Sequence, residues 1–200
     1  MKKFCPTAFA SALLVLIAQS PHAATLSLDP ITQNATVGSP INVSLIITGL
    51  SDNAAPSLST FDLDISFDPA ILRLSSVTFG DAVLGDQLDL FSLGNVDTST
   101  LGVGTVNLFE LSFDSASDLD SLQAGSFTLA RLMFNALSEG VSDLGISVNA
   151  LGDSLGDALA VSPAAASVTT HAAAPVPLPA SLLLLGTGLL GIPIFSKRHW

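Results

Sequence analysis

Apolar and polar residues alternate with a period of two through most of the chain between residues 26 and 170. The segments 41–47 and 61–67 have Ile, Val, Leu or Phe at every second position, and mostly Asn, Asp, Ser or Thr between them. Successive side chains of a strand point to opposite faces, so this period predicts strands with one buried face. Shorter pieces predict further strands at 72–79, 109–113, 127–134 and 144–148, and a weak one at 160–170.

The alternation also predicts which side chains are buried. In the segment 109–113, we expect Phe109, Leu111 and Phe113 to face the core, and Glu110 and Ser112 to face solvent. The phase of the segment 127–134 changes near Arg131, which predicts a β-bulge there.

Turn-forming residues separate the strands, and no long amphipathic helix is visible. Asp68 and Pro69 have the pattern of an N-cap and first residue of a single helical turn. Many short strands without alternating helices predict an all-β sandwich or barrel. The length of about 145 residues is enough for one buried core.

Residues 1–24 have the pattern of a secretory signal peptide. Lys2 and Lys3 precede an apolar stretch at 8–18, and two alanines follow at 23 and 24. We expect cleavage close to these alanines, and an uncleaved N-terminal anchor is the alternative.

The C terminus has three parts: a linker rich in Ala and Pro at 171–179, an apolar run at 182–195, and the basic pair Lys197 and Arg198. As a helix, the apolar run would span about 21 Å, against about 30 Å of bilayer core. It can enter a membrane if flanking residues snorkel or the bilayer thins. The basic pair would then mark the cytoplasmic side, with the domain outside.

Charge and missing residue types exclude several functions. All 17 acidic residues lie between Asp29 and Asp157, and Arg73 and Arg131 are the only basic residues there, which leaves this span a net charge of −15. Nucleic-acid binding needs clustered Lys and Arg, so it is excluded. The span has no His or Cys, which excludes Ser-His and Cys-His nucleophiles and the usual zinc ligands.

The order of the C-terminal parts resembles the PEP-CTERM sorting signal of Gram-negative envelope proteins, which we place at 176–200. A proline motif, a glycine-rich apolar stretch and a basic membrane stop carry the resemblance: Val176, Pro177, Leu178, Pro179, Ala180, residues 186–191, Lys197 and Arg198. The resemblance implies recognition by an exosortase, a membrane-embedded cysteine protease, and cleavage near the motif. Leu178 stands where the commoner form has Glu, which leaves the processing enzyme open. A plain tail anchor and a buried core helix are the alternatives.

The middle of the chain resembles cohesin domains. Residues 60–72 have the alternating strand, aromatic-Asp-Pro turn and following Ile or Leu of the third cohesin strand, and residues 77–81 fit the strand and Gly-Asp turn after it. Residues 127–134, followed by Glu139 and Gly140, fit a late strand and its turn. The resemblance implies a jelly-roll β-sandwich of about nine strands, related in fold to carbohydrate-binding modules, in a domain at 25–170.

Cohesins bind dockerins through a sheet face that includes this third strand. The resemblance therefore implies that Thr60, Asp62 and Asp64 lie on a partner-binding face, opposite the buried Phe and Leu residues of the strand. The alternative is a solvated face that only prevents edge-to-edge aggregation.

The acidic residues raise two further alternatives. Calcium ligands are available in three groups: Asp62, Asp64 and Asp68; Asp153 and Asp157; and Asp114, Asp118 and Asp120. Loop aspartates more often cap turns, so we predict no resident metal or cofactor and keep calcium as the alternative. Paired carboxylates also occur in glycosidases, but the domain lacks the Trp and Tyr platforms usual there, and we predict no enzyme.

Together these features predict an exported, non-catalytic binding or adhesion module of the cell envelope or extracellular matrix, anchored transiently or permanently in the inner membrane. Its expected partners are an exosortase-type enzyme and a dockerin-like protein or a polysaccharide. A carbohydrate-binding module and a calcium-binding structural matrix protein are the alternative functions.

Overall fold

A computed structural model describes residues 23–174. The predicted signal peptide lies outside these residues except for its last two alanines, and the predicted sorting segment lies outside them entirely. The described residues form eleven strands and one short helix: β1 (Ala24–Asp29), β2 (Thr32–Thr36), β3 (Pro40–Thr48), β4 (Leu58–Ser66), β5 (Leu72–Phe79), β6 (Val96–Leu101), β7 (Thr105–Leu111), α1 (Ala116–Leu122), β8 (Ser126–Ala136), β9 (Gly140–Asp153), β10 (Val161–Ala164) and β11 (Ala166–His171).

The strands form two sheets that pack as a sandwich, which confirms the predicted fold class. One sheet has the order β10-β1-β3-β8-β5, and the other has the order β2-β11-β9-β4-β7-β6. The count is eleven rather than about nine because both ends of the domain change sheet. Strand β1 pairs with β10 and strand β2 pairs with β11, both in parallel, so each terminal segment contributes one short strand to each sheet.

The core lies between the sheets and is built as the alternation predicts. Ile41, Val43, Leu45 and Ile47 of β3 are buried, and so are Phe61, Leu63 and Ile65 of β4. The Phe67 ring meets that of Phe134 edge to face, with 5.2 Å between the centroids. Burial of these large side chains supplies the main stabilising free energy of the domain.

Strand β8 contains the predicted bulge. Its pairing with β3 shifts register between Leu45 and Ile46, and Leu129 is passed over. Leu129 and Ala130 are both buried, and Arg131 beside them is exposed. The extra residue restores the inward position for Leu132.

The buried face of β7 is the opposite of the one that the sequence pattern predicts. Val106, Leu108 and Glu110 face the core, whereas Phe109 is half-buried and Leu111 is exposed. Phe113 is 62 % exposed. The expected assignment of Phe109, Leu111 and Phe113 to the core, with Glu110 outside, is therefore wrong. Two apolar sets compete in this segment, and the set that begins at Val106 is buried, so Glu110 is carried into the interior.

The segment 81–95, here called the acidic loop, closes one end of the sandwich. Buried Gln123 fastens it: the Nε2 of Gln123 donates to the carbonyls of Leu58 and Gln87, and its Oε1 accepts from the Leu58 amide. The amide of Val83, followed by those of Leu84 and Thr128, lowers the pKa of Asp81 to about 2. The loop is therefore held against β4 and β8.

Within residues 23–174, no helix is long and apolar enough to cross a membrane.

Candidate functional site

The three residues predicted to face a partner lie together on the outer face of β4. Thr60, Asp62 and Asp64 alternate with the buried Phe61, Leu63 and Ile65, and all three are half-buried. Strands β7 and β9 flank β4 on its two sides. We call this surface of β4, β7 and β9 the aspartate face.

Two asparagines from the neighbouring strands hold the aspartates. The Asn107 Nδ2 donates to Asp62 Oδ1 at 2.6 Å and to Asp64 Oδ1 at 3.0 Å. The Asn149 Nδ2 donates to Asp62 Oδ1 at 3.1 Å and to Asp64 Oδ2 at 3.0 Å. The hydrogen bond from Asn149, followed by that from Asn107, lowers the pKa of Asp64. The two carboxylates are thus held in place by hydrogen bonds within the domain.

A bulge in β9 brings Asn149 to this position. Asp62 pairs with Ala150 and Leu63 pairs with Val148, so Asn149 is the extra residue. The sequence pattern did not reveal either asparagine, because a bulge and the register of two strands decide where they point. The Oγ1 of Thr60 donates to the Glu110 carbonyl at 2.8 Å, so it fastens β4 to β7.

The outward apolar residues of β7 form a strip beside the aspartates. Phe109 pairs with Asp62, and Leu111, which is 36 % exposed, pairs with Thr60. Strand β6 continues the strip, since its exposed Val96 pairs with Leu111. The face therefore combines fixed negative charge with exposed apolar area.

The proposed calcium groups do not assemble as the sequence suggested. The Asp68 Oδ1 accepts from the Ala70 amide, and the Asp153 Oδ1 accepts from the Leu155 and Asp157 amides, so both side chains cap turns. The Asp120 Oδ1 accepts from the hydroxyls of Ser57 and Ser154. In the part of the chain that the structure describes, no three acidic, His or Cys side chains are grouped to hold a metal ion.

Because Val106 and Leu108 of β7 face the core, Glu110 does too, and this creates a second acidic site inside the sandwich. Glu110 is 1 % exposed, and its Oε1 accepts from Asn95 Nδ2 at 2.6 Å. The same nitrogen donates to Asp86 Oδ2 at 2.8 Å. Burial, followed by the charge of Asp86, raises the pKa of Glu110 to about 9. The sequence analysis missed this site, and the only signal for it was the apolar pair Val106 and Leu108 in phase with Glu110.

The C-terminal signal is matched by a family model. Residues 175–198 match the PEP-CTERM protein-sorting motif, which covers the predicted motif residues from Val176 to Ala180 together with Lys197 and Arg198. No curated protein matches the chain.

Solved cohesin structures have the same fold as residues 23–174. The seventh ScaB type I cohesin from Pseudobacteroides cellulosolvens superposes with a TM-score of 0.59 at 17 % identity, covering 78 % of this chain and 97 % of that one. The cohesin–dockerin complex Coh-OlpC-Doc435 from Clostridium thermocellum gives 0.60 at 10 %, with coverages of 78 % and 97 %. A non-cellulosomal cohesin from Archaeoglobus fulgidus gives 0.55 at 15 %, with coverages of 74 % and 91 %.

At these identities the likeness shows the fold alone. The two comparisons concern different parts of the chain and agree with the two resemblances in the sequence. This chain therefore contains a domain with the cohesin fold, followed by a PEP-CTERM protein-sorting motif.

Proposed function

We propose that this protein is an exported, non-catalytic binding module that holds a protein partner on its aspartate face. The observation that carries the proposal is the arrangement of Asp62 and Asp64, which Asn107 and Asn149 fix beside the apolar strip of β7. Several solved structures of similar fold are cohesin–dockerin complexes, such as Coh-OlpC-Doc435. We infer a partner of the same kind, a dockerin-like protein.

The chemistry of the face suits such a partner. Carboxylates that are already held in place lose little side-chain entropy on binding. The half-buried Phe109 and the exposed Leu111 and Val96 offer apolar area that a partner can bury. Positively charged or hydrogen-bond-donating side chains on the partner would meet Asp62 and Asp64, so we expect salt to slow association.

Site-specific photo-crosslinking in the native host tests this proposal. A photoreactive residue at Leu111 should crosslink to a discrete protein, and the double change Asp62→Asn and Asp64→Asn should weaken that crosslink at least ~10-fold, the equivalent of about 1.4 kcal/mol. Met133 is the matched control position, because it is 39 % exposed on β8 of the other sheet. Equal crosslinking at Leu111 and Met133, or no effect of the double change, would overturn the assignment of the face.

A polysaccharide is the second candidate partner, because the structure exposes two aromatic rings, one of which, Phe113, the sequence pattern had placed in the core. Phe113 is 62 % exposed and Phe91 is 51 % exposed. Phenylalanine rings at a surface can stack on sugar faces. A diffuse, glycosidase-sensitive crosslink at Leu111 would identify this partner in place of a protein.

Export and sorting are the other half of the proposed function. We propose that the N-terminal 24 residues are removed and that an exosortase-type enzyme processes the segment 176–200 at the inner membrane. The mature domain would then reach the cell surface or the extracellular matrix. The match of residues 175–198 to the PEP-CTERM motif supports this route.

The intact mass of the protein recovered from its native envelope or medium tests this route. We expect a chain that starts near Ala24 or Thr25 and ends near residues 179–181, with or without an attached group. Replacing Pro177 and Pro179 by Ala should leave the unprocessed C terminus in place, because the motif would no longer be recognised. A native mass that still includes Trp200 would make the tail a plain anchor.

A further inference from the structure

A buried carboxylate near one end of the sandwich lacks a complete set of hydrogen-bond partners. Glu110 is 1 % exposed, and its Oε2 contacts no donor. Native proteins rarely leave a buried carboxyl oxygen without a partner. The acidic loop covers this side chain through Asp86 and Asn95.

The surroundings of Glu110 add negative charge. Asp86 lies within hydrogen-bonding range of Glu110, and Asp97 is close enough for repulsion. The described residues include three side chains able to carry positive charge, Arg73, Arg131 and His171, and they lie on β5, β8 and β11. The acidic loop, β6 and β7 therefore supply no cation of their own.

The groups beside Glu110 that could bind a cation are two carboxylates and one side-chain amide. Glu110 offers Oε1 and Oε2, and Asp86 offers Oδ2, since its Oδ1 accepts from the Leu88 amide at 2.9 Å. The Asn95 amide lies between the two carboxylates, and a rotation of 180° about its last bond turns its oxygen toward them. Carboxylate and amide oxygens, completed by water, are the ligands of Ca²⁺.

We propose that Glu110, Asp86 and Asn95 form a calcium site that fastens the acidic loop to β7. The cation replaces the missing positive charge and uses the oxygen that has no other partner. Calcium suits the site better than magnesium, because one carboxylate from the loop and one from β7 give irregular geometry, and magnesium demands a near-ideal octahedron. The site is separate from the aspartate face, whose carboxylates Asn107 and Asn149 already satisfy.

The calcium site lies next to the apolar strip of the aspartate face, but the two proposals do not depend on each other. Glu110 is the residue between Phe109 and Leu111, and its carbonyl accepts from the Thr60 hydroxyl. Bound calcium would therefore fix the end of β7 that carries the apolar strip. A failure of calcium binding leaves the crosslinking test of the aspartate face valid, and a failure of that test leaves calcium binding valid.

Equilibrium dialysis and thermal unfolding of the full-length protein test the proposal. After treatment with a chelator, one Ca²⁺ should bind per chain at about 1 mM or below. Saturating Ca²⁺ should raise Tm by about 5–10 °C, and Mg²⁺ at the same concentration should raise it less.

The variants Glu110→Gln and Asp86→Asn should weaken calcium binding at least ~10-fold. Glu110→Gln keeps the shape of the side chain and removes the buried charge, so the variant should fold. Asp143→Asn, at an exposed acidic residue of β9, is the matched control and should bind Ca²⁺ as the unchanged protein does. Absence of binding, or binding that Glu110→Gln leaves unchanged, would overturn the site; in the first case a proton shared with Asp86 neutralises Glu110.

Discussion

Raising the pH from 5 to 9 in a chelating buffer should destabilise the domain, and Glu110→Gln should remove most of this effect. The pKa of Glu110 is raised from 4.5 to about 9 in the folded protein. The folded state therefore holds a proton that the unfolded state releases above about pH 4.5. The contribution of Glu110 to stability is highest below that pH, and it falls as the pH rises toward 9 by up to about 1.4 kcal/mol per pH unit.

The sign follows from the surroundings of Glu110. Burial, the charge and hydrogen bond of Asp86, and the charge of Asp97 all oppose ionisation of Glu110, and the Asn95 amide alone favours it. At pH 7 the unfavourable contribution reaches about 3 kcal/mol, a large share of the stability of an ordinary domain. Glutamine keeps the hydrogen bond to Asn95 within reach and does not titrate.

Chemical denaturation at a series of pH values measures this effect. The control is Asp64→Asn on the aspartate face, where the pKa is lowered. That side chain contributes stability above about pH 4 and loses this contribution in acid. Its replacement should therefore lower stability by a constant amount between pH 5 and 9 and change the slope of the profile only in acid. A flat stability profile between pH 5 and 9 in the unchanged protein would contradict the prediction.

Gly104→Ala should destabilise the domain by about 2–4 kcal/mol, more than the same change at Gly85. Both glycines have left-handed backbone, with φ of +71° at Gly104 and +75° at Gly85. A Cβ at Gly104 would lie 2.9 Å from the Phe67 carbonyl oxygen and 3.0 Å from Pro69 Cδ, whereas a Cβ at Gly85 would meet nothing within 4 Å.

The difference between the two variants isolates the steric effect. The backbone conformation costs an alanine about 1 kcal/mol at either position. At Gly104 the chain must also move away from Phe67, whose amide donates to the Gly104 carbonyl at 2.9 Å. Urea denaturation of both variants measures the two free energies, and equal values would show that the contact with Phe67 relaxes at no cost.

The sequence pattern was able to assign the buried faces of β3 and β4 but not that of β7. The alternation in β3 and β4 was enough to assign their buried faces, because one set of positions is apolar and the other largely polar. In β7 the residues from Val106 to Phe113 offer two apolar sets of opposite phase. In the structure, the hydrogen bond from the Phe67 amide to the Gly104 carbonyl and the pairing of Thr60 with Leu111 accompany the phase that buries Val106 and Leu108.

The aspartate face was predicted in part. The alternation of β4 placed Thr60, Asp62 and Asp64 outside, and the structure does the same. Asn107 and Asn149 come from segments 43 and 85 residues further along the chain from Asp64. No local pattern encodes such a contact, since it depends on strand order and on the bulge in β9.

The sequence by itself determined the all-β fold class, the outward position of the aspartates and the sorting motif, because each is written in a local period or an ordered run of residues. The tertiary structure decided which face of β7 is buried, that Glu110 lies on that face and that Asp86 and Asn95 surround it. These features depend on the register between strands and on the path of the acidic loop. Side chains distant in sequence meet only when the core has closed, so burial of the whole β7 strand outweighs the preference of one glutamate for water.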